Sequence, residues 1–295
     1  MSLDRVLITG GEGQLASDLA ALLSDVDALA APPRSELDIT DDEAVGQVFE
    51  QLHPEVVFNC AAFHNVEVCE REEDRSFEVN ARAVKRLAER CSASGARLVH
   101  LSTNYVFPGT RDEPYAEHDR PAPRSVYAIS KLAGEHCALA YAPGAIVVRS
   151  AGLFGLHGSA SKGGNFVTRM VDRARREGAL KMVADQRLSP TYTGELAPAL
   201  VEAVESGATG VLHLTSSGDC SWFEFTQAIL ELAGIDAAIE PVATRIQPGA
   251  AHRPLNGVLG RPAADAAGLR PLRQWHDALG DYMSRAGLAA ASRAS

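Results

Sequence analysis

The stretch VLITGGEGQLA, residues 6–16, joins a short apolar run to three glycines and then to a helical pattern. Its first four residues are typical of a buried β-strand, and residues 14–24 have the spacing of a helix. Gly10 and Gly13 allow a tight turn close to a pyrophosphate, and the helix start offers free N–H groups. Ala16, in place of a third glycine, still permits close packing of helix on strand. The stretch therefore predicts a dinucleotide site; the alternative is a glycine turn without a ligand.

Beyond this stretch, short β-branched runs alternate with helical patterns as far as Arg149. The predicted elements are a strand at 26–30, a helix at 41–52, a strand at 56–58, a helix at 74–94, a strand at 98–101, a helix at 126–140 and a strand at 146–148. Apolar strands that alternate with crossover helices indicate a parallel sheet covered on both faces. The sequence thus predicts an α/β fold with a doubly wound, Rossmann-type parallel sheet.

The pattern changes after residue 150, which suggests a second domain. The predicted elements there are a glycine-rich loop at 152–164, helices at 166–176, 195–205, 222–232 and 275–283, strands near 182–183 and 211–214, and mostly loop over 241–271. We expect a dinucleotide-binding domain at 1–150 and a smaller C-terminal α/β substrate-binding domain at 151–285. Part of 185–215 is expected to pack back on the first domain, and 286–295 to form a flexible tail.

Composition excludes several classes of protein. The 295 residues carry 28 Lys and Arg against 38 Asp and Glu, a formal net charge of −10, which is unfavourable for general nucleic-acid binding. No apolar run approaches the roughly 18 residues of a membrane span, and no signal peptide is visible. The five cysteines are scattered without a CxxC pair. We therefore expect a cytoplasmic protein with reduced thiols and without a metal site.

The end of the second predicted strand bears on the choice of cofactor. A carboxylate there would bind the ribose 2′-hydroxyl of NAD, but the residues are Ala31-Pro32-Pro33-Arg34-Ser35. Arg34 and Ser35 could bind a 2′-phosphate, which favours NADPH and leaves NADH possible. The alternative is that Arg34 is an ordinary solvated loop residue. Asp38 is expected either to hydrogen-bond an adenine amino group or to cap the next helix with Thr40.

Tyr127 and Lys131 are four residues apart and share one face of the predicted helix at 126–140. A phenol with a pKa near ~10 is a poor acid–base catalyst at neutral pH. A lysine cation one turn away is expected to lower that pKa and to hold a cofactor ribose. Thr103, at the end of the preceding strand, can supply a further hydroxyl. The pair predicts an acid–base site; the alternative is a surface Tyr–Lys pair.

Four motifs together carry a resemblance to a known family. They are Gly10-x-x-Gly13-x-x-Ala16, Asn59-Cys60-Ala61-Ala62, the segment 102–109 and Tyr127-x-x-x-Lys131. The chain resembles an extended short-chain dehydrogenase/reductase and, within that superfamily, the dTDP-4-dehydrorhamnose reductase family. Further motifs extend the resemblance from residue 5 to about residue 280; they are Gly164-Asn165-Phe166, Asp185-Gln186, Ser189-Pro190-Thr191 and Arg253-Pro254.

The resemblance implies an NADPH-dependent reductase of a nucleotide-linked 4-keto-6-deoxy sugar, with hydride transfer to C4. Tyr127 would protonate the 4-keto oxygen, Lys131 would lower the pKa of Tyr127, and Thr103 would hydrogen-bond the substrate oxygen. The cofactor-binding residues would be Gly10, Gly13, Gln14, Leu15, Arg34, Asp38, Ile39, Ala61, Ala62, Asn80, Tyr127 and Lys131. The substrate-binding residues would be Asn104, Tyr105, Val106, Phe107, Asn165, Phe166, Arg187 and Arg253. The expected substrate is dTDP-linked, and a homodimer is possible.

Several alternatives stay open. Asn104 replaces a common Asp of the family, Gly152 replaces a large aromatic, and the segment 63–67 departs from the family pattern, so the sugar is not fixed. Arg187 and Arg253 could instead form structural salt bridges. A sugar-nucleotide epimerase or dehydratase is a second function, although dehydratases carry Asp-Glu where this chain has Asn104-Tyr105. A third is a non-catalytic NADP-binding regulatory subunit that resembles that of methionine adenosyltransferase.

Overall fold

A six-stranded parallel β-sheet forms the centre of the larger lobe in the computed structural model, which describes residues 3–157, 164–245 and 249–290. Its strands are β1 (Arg5–Thr9), β2 (Ala28–Ala30), β3 (Val56–Asn59), β4 (Arg97–Thr103), β5 (Ile146–Ser150) and β8 (Gly210–His213). They lie in the order β2-β1-β3-β4-β5-β8, so the chain runs outward in both directions from β1 and β3. The predicted α/β fold with a doubly wound parallel sheet is confirmed. Ligands of such sheets bind at the carboxyl ends of the strands, where the order reverses.

The strands of this sheet are apolar because both faces of the sheet are covered. Along β1, Val6 and Ile8 face a core shared with Leu19 and Leu200, whereas Leu7 faces the opposite core. Side chains alternate between the two faces of a strand, so a continuous apolar run fills both cores.

The helices of the larger lobe cover the two faces of the sheet. They are α1 (Gln14–Leu22), α2 (Asp42–Leu52), α3 (Val66–Cys69), α4 (Glu73–Phe77), α5 (Ala83–Ser94), α6 (Val126–Tyr141), α8 (Thr193–Glu205) and α10 (Pro262–Ala266). On one face α1 packs against α8, and on the other α5 packs against α6. Among the described residues, no helix is both long and apolar enough to cross a bilayer.

The predicted continuous helix at 74–94 is wrong in one respect. It is divided into α4, a π turn at Glu78–Arg82, and α5. A π turn holds one more residue than an α turn and so changes the direction of its side chains. Here the turn presents Asn80 to the backbone of Phe63, with which it makes two hydrogen bonds of 2.9 Å. The periodicity of the sequence cannot predict this turn, because the partner of Asn80, Phe63, lies 17 residues away.

The smaller lobe packs three helices against two short sheets. Its elements are α7 (Phe166–Glu177), α9 (Trp222–Leu232), α11 (Trp275–Arg285), the parallel pair β6 (Ala179–Val183) and β10 (Ala238–Val242), and the antiparallel pair β7 (Arg187–Leu188) and β9 (Cys220–Ser221). The prediction of loop missed β10, whose last residues overlap the predicted loop 241–271, and α10, which lies within it. Pro241 lies within β10, and an edge strand tolerates a proline that an inner strand would not.

The domain boundaries, one between residues 150 and 151 and one at residue 285, stay predictions, and two observations bear on them. α8 and β8 follow the first elements of the smaller lobe in sequence but pack with the larger lobe. Of the predicted glycine loop and the predicted tail, residues 158–163 and 291–295 lie outside the described residues.

A buried ion pair ties α6 to β5 inside the larger lobe. Arg149 donates to both carboxylate oxygens of Glu135, with Nη2 and Oε2 2.7 Å apart, and neither side chain is more than 4% exposed. Ser102 donates to the same carboxylate at 2.5 Å, and the Arg149 guanidinium lies 5.0 Å from the centre of the Phe107 ring. The pair therefore fixes α6 against the strands that carry the site described below.

We expect Arg149→Met to lower the free energy of unfolding by about 3–5 kcal/mol, because it leaves the Glu135 carboxylate buried without its cation. Urea unfolding followed by circular dichroism measures this. The matched control is Arg173→Met, which removes an exposed i,i+4 pair with Glu177 and should leave the unfolding midpoint unchanged. Equal effects of the two substitutions would contradict a structural role of the buried pair.

Candidate active site

The glycine turn between β1 and α1 has the shape of a phosphate cradle. Gly10 has a φ of +73°, and a Cβ at this position would lie 2.9 Å from the backbone nitrogen of Ala61. Gly13 is the N-cap of α1, and no side chain caps this helix start. The backbone N–H groups of Gln14 and Leu15 at this end have no side-chain acceptor, and the helix dipole favours an anion there. The turn therefore fits the pyrophosphate of a dinucleotide.

Beyond the end of β2, Arg34 and Asp38 form an ion pair with Nη2 and Oδ2 2.8 Å apart. The other carboxylate oxygen of Asp38 accepts from the backbone and the hydroxyl of Thr40. The alternative that Asp38 caps the next helix is wrong, because the side chain of Asp41 caps α2. Burial tends to raise the pKa of Asp38, but the hydrogen bonds from Thr40 and Arg34 outweigh it and hold this pKa below its ordinary value. The Arg34 side chain is 55% exposed and can also contact an anion from solvent.

The expected cofactor wall at Ala61, Ala62 and Ile39 is partly apolar and is held by Asn80. Ile39 is buried in a small cluster with Val79 and Ala83, against which Ala61 packs. Asn80 is fully buried and donates to Ser130 Oγ at 3.0 Å as well as to the Phe63 carbonyl. It therefore fixes the segment after β3 to the helix that carries Tyr127.

Thr103 and Tyr127 meet at the carboxyl end of β4. Thr103 is buried at the last position of β4, and Tyr127 lies in the first turn of α6. Burial raises the pKa of Tyr127, and a hydrogen bond with Thr103 lowers it in part. The ring of Tyr105 stands edge-on to Tyr127, with the ring centres 6.0 Å apart. Tyr127 thus keeps its proton at neutral pH and can act as an acid.

Lys131 is buried beneath this group. Its ammonium donates to the carbonyl of Leu101 at 2.5 Å and lies 3.4 Å from His100 Nε2. Burial lowers the pKa of Lys131 to about 8, although Glu135 and Cys60 oppose this. The ammonium is directed to the Leu101 carbonyl, and the role of Lys131 in lowering the pKa of Tyr127 stays a prediction.

The residues after Thr103 form a 3₁₀ turn, Asn104–Val106, against the segment 249–260. Asn104 donates to the carbonyl of Gly257 at 2.9 Å, a bond that the carboxylate of an Asp could not make. Val106 and Phe107 are buried in a cluster with Tyr115, so their side chains pack in the core, and their contact with a substrate stays a prediction. Tyr105 is the member of this segment that faces Tyr127.

The two arginines expected to bind an anionic substrate both make ion pairs. Arg253 pairs with Glu67 at 2.8 Å and hydrogen-bonds Tyr105, which places it near Tyr127. Arg187 pairs with Asp219 at 2.5 Å and with Glu224 at 3.2 Å. Both arginine side chains are about two-fifths exposed, at 38% and 44%, so an anion can reach them.

Two further expected substrate residues lie in the smaller lobe. Asn165 caps α7 and donates to the Gly155 carbonyl and the Tyr282 hydroxyl, and it is buried. The Phe166 ring packs on Trp222 with centres 4.4 Å apart. The contacts of both residues are therefore within their own lobe.

Gly152 has a φ of +54°, and a Cβ there would lie 2.6 Å from Leu188 Cδ1. A large aromatic side chain has no room at this position unless Leu188 moves. The packing of Leu188 against position 152 therefore accounts for a glycine in place of an aromatic residue.

Sequence reasoning missed a set of buried polar residues beneath the site. Thr9, Asn59 and His100 are fully buried and hydrogen-bonded in series, and Ser76 shares a hydrogen bond of 2.9 Å with Ser130. A usable signal existed for His100, which interrupts the apolar run of β4.

Comparison with known proteins places the chain in a family. A family model described as the RmlD substrate binding domain matches residues 4–287. A dTDP-4-dehydrorhamnose reductase of Mycolicibacterium smegmatis is 40% identical over 95% of this chain and 85% of its own length. The chain belongs to the dTDP-4-dehydrorhamnose reductase family. The resemblance inferred from the motifs is confirmed.

Two other members of the dTDP-4-dehydrorhamnose reductase family are informative. A dTDP-4-keto-6-deoxy-D-glucose reductase of Streptomyces niveus is 38% identical over 94% of this chain and 95% of its own length. The crystal structure of a dTDP-4-dehydrorhamnose reductase from Bacillus anthracis in complex with NADP has a TM-score of 0.90 and 32% identity, and covers 96% of this chain and 100% of that chain. All three relatives are named as reductases, and the prediction of an oxidoreductase is thereby confirmed.

The glycine turn yields a matched pair of substitutions. Gly10→Ala should weaken dinucleotide binding by about 10- to 100-fold, the loss expected for one displaced charge-assisted hydrogen bond. Gly95→Ala is the control, since Gly95 has a φ of +76° but nothing within 4 Å of the new Cβ. Both variants bear a left-handed alanine, which costs each about 1–2 kcal/mol of stability, and Gly10→Ala adds the contact with the Ala61 backbone. Fluorescence titration with NADPH measures the affinity, and equal affinities would argue against a phosphate cradle at Gly10.

Proposed function

We propose that the chain is an NADPH-dependent reductase that reduces the C4 keto group of a dTDP-linked 4-keto-6-deoxy sugar. The observation that carries the proposal is the meeting of Thr103, Tyr127 and Lys131 at the carboxyl end of β4, on the sheet edge that also holds the glycine turn. An acid, its hydroxyl partner and a buried amine are the groups that carbonyl reduction needs beside a dinucleotide. The reductase names of the relatives support the substrate class.

The cofactor proposal rests on the fit of the glycine turn and on Arg34. Gly10 and Gly13 would hold the pyrophosphate, and Arg34 would contact a 2′-phosphate in exchange for part of its pair with Asp38. The NADP in the Bacillus anthracis reductase supports NADPH as the cofactor. When bound, NADPH supplies the hydride.

The proton comes from this chain. Tyr127 holds a proton on its phenolic oxygen, because burial raises its pKa. As negative charge develops on the sugar oxygen at C4, Tyr127 donates that proton and Thr103 donates a second hydrogen bond. Lys131 stands on the same helix one turn away and stabilises the phenolate that remains. Its ammonium has to turn from the Leu101 carbonyl to do so.

Arg253 is proposed to hold the anionic part of the substrate. It lies on Tyr105, which in turn faces Tyr127, so an anion at Arg253 would be near the reacting carbonyl. A diphosphate offers more acceptor oxygens and more charge than the carboxylate of Glu67, so it can replace that carboxylate. The backbone of Arg187 is linked to the same region, since the Gly257 N–H donates to the Arg187 carbonyl and the Gly257 carbonyl accepts from Asn104. The dTDP linkage, a homodimer and a cytoplasmic location stay predictions.

Tyr127→Phe tests the proton donor. We expect kcat/KM with NADPH and a dTDP-4-keto-6-deoxy sugar to fall about 10²- to 10⁴-fold while NADPH affinity stays the same. The control is Tyr141→Phe, which removes an exposed hydroxyl at the end of α6. Absorbance at 340 nm follows turnover, and NMR identifies the product. Normal turnover of Tyr127→Phe would refute the mechanism, and an inactive wild-type chain on a panel of nucleotide keto-sugars would refute the function.

Arg253→Met tests the anion site. Loss of one charge-assisted hydrogen bond to a phosphate should raise KM for the nucleotide sugar about 10- to 100-fold, with kcat within about twofold of the wild type. Arg175→Met, which changes an exposed arginine of α7, should leave both constants unchanged. If Arg253 served only as a salt bridge to Glu67, Glu67→Gln would raise KM to the same extent as Arg253→Met.

A further inference from the structure

Four buried polar side chains form a line beneath the site, one from each of four neighbouring elements. Thr9 on β1 donates to Asn59 Oδ1 on β3 at 2.7 Å, and Asn59 Nδ2 lies 3.1 Å from His100 Nδ1 on β4. His100 Nε2 lies 3.4 Å from Lys131 Nζ on α6. The first three residues are fully buried, and Lys131 is 3% exposed. No step of the proposed mechanism uses the first three residues.

The direction of the hydrogen bonds constrains the charge of Lys131. With the amide nitrogen of Asn59 toward His100, Nδ1 of the imidazole accepts, and its single proton is on Nε2. That Nε2–H points at Lys131 Nζ, which can accept only as a neutral amine. In this direction, therefore, the line matches the uncharged form of Lys131.

A half-turn of the Asn59 amide reverses every bond in the line. The amide then donates to the Thr9 hydroxyl oxygen and accepts from Nδ1–H of His100. The proton of the neutral imidazole is now on Nδ1, and Nε2 accepts from the Lys131 ammonium. In the reversed direction the line matches the charged form of Lys131. In both directions every contact along the line pairs a donor with an acceptor.

We propose that Thr9, Asn59 and His100 act as a reversible hydrogen-bond line that positions the Lys131 amine and exchanges the tautomer of His100 whenever Lys131 gains or loses its proton. When Lys131 becomes neutral, its ammonium passes one proton to His100 Nε2 and the proton on Nδ1 is released to solvent. The imidazole therefore carries one proton in both states, and the net change is the single proton that Lys131 loses. This exchange is an equilibrium property of the chain and does not rest on the proposed function.

The groups around the line allow the protonation of Lys131 and the tautomer of His100 to depend on each other. The groups around the Lys131 amine are the Leu101 carbonyl, His100, Glu135 and Cys60, and Tyr127 is one turn before it on α6. Glu135 is paired with Arg149 and accepts a hydrogen bond from Ser102. Burial raises the pKa of the Cys60 thiol to about 12, so this thiol does not titrate near neutral pH. Burial keeps His100 neutral, and its pKa is well below the ordinary value, an effect to which Lys131 adds.

Packing also keeps the imidazole in its place. Gly134 on α6 has no side chain, and a Cβ there would lie 3.2 Å from His100 Nε2 and 2.1 Å from the Asn80 carbonyl oxygen. The ring therefore fills the space between β4 and α6, and a change of tautomer is its available response to Lys131.

NMR of the wild-type chain without cofactor or substrate tests the coupling directly. Lysine labelled at Cε gives four signals, from Lys85, Lys131, Lys162 and Lys181. The signal that disappears in Lys131→Arg is that of Lys131. The Lys131 signal should titrate with a midpoint near pH 8. Histidine ¹⁵N shifts should show His100 changing from Nδ1–H below this midpoint to Nε2–H above it. A single tautomer of His100 on both sides of the Lys131 midpoint would overturn the proposal.

Variants of His100 separate positioning from packing. His100→Phe removes the acceptor, and since the charged form of Lys131 loses more than the neutral form, the Lys131 pKa should fall by about one unit. His100→Gln retains an acceptor oxygen and should hold that pKa within about half a unit of the wild type. His136→Gln, an exposed change on α6, is the control. A purely structural role predicts equal Lys131 midpoints in both His100 variants. An inactive wild type that shows the coupled titration would refute the proposed function and leave this inference standing.

Discussion

The buried amine of Lys131 is the group on which the arrangement of the site depends. An ammonium taken out of water costs several kcal/mol unless acceptors replace its hydration. The Leu101 carbonyl is one such acceptor, and His100 Nε2 is the other when the imidazole carries its proton on Nδ1; both residues belong to β4. Because Tyr127 is one turn before Lys131 on α6 and Thr103 ends β4, the contact that solvates the amine also sets the spacing of the acid and its hydroxyl partner.

Strand register extends this constraint across the sheet. The pairing of β1 with β3 places Thr9 opposite Asn59, and that of β3 with β4 places Asn59 opposite His100. A slip of one residue in either pairing would move a polar side chain to the other face of the sheet and an apolar one into its place. The same registers put the glycine turn and the segment after β3 side by side, where Gly10 meets Ala61. The cradle and the polar line therefore depend on one set of backbone pairings.

Much of the fold and the core of the site could be predicted because their signals are local. The strands, the glycine turn and the Tyr127–Lys131 spacing each lie within a few residues of sequence. The π turn at Asn80, the line through His100 and the pairing of Arg253 with Glu67 could not, because their partners are 17, 41 and 186 residues away. The direction of the Lys131 ammonium, likewise, is set by a carbonyl on another element. Sequence spacing therefore identified the groups, and tertiary packing decided their partners.

Two kinds of arginine explain how a chain of net charge −10 can receive an anion. Arg149 is buried with Glu135, and exchanging that partner would strand a carboxylate away from water. Arg253 and Arg187 are paired at the surface, where such pairs contribute about 0–1 kcal/mol and can be exchanged at little cost. Their carboxylate partners hold them in place before an anion arrives. A phosphate that displaces Glu67 leaves that carboxylate in solvent, where hydration stabilises it. The acidic surface therefore lowers the association rate of the anion more than it lowers the affinity of the bound anion.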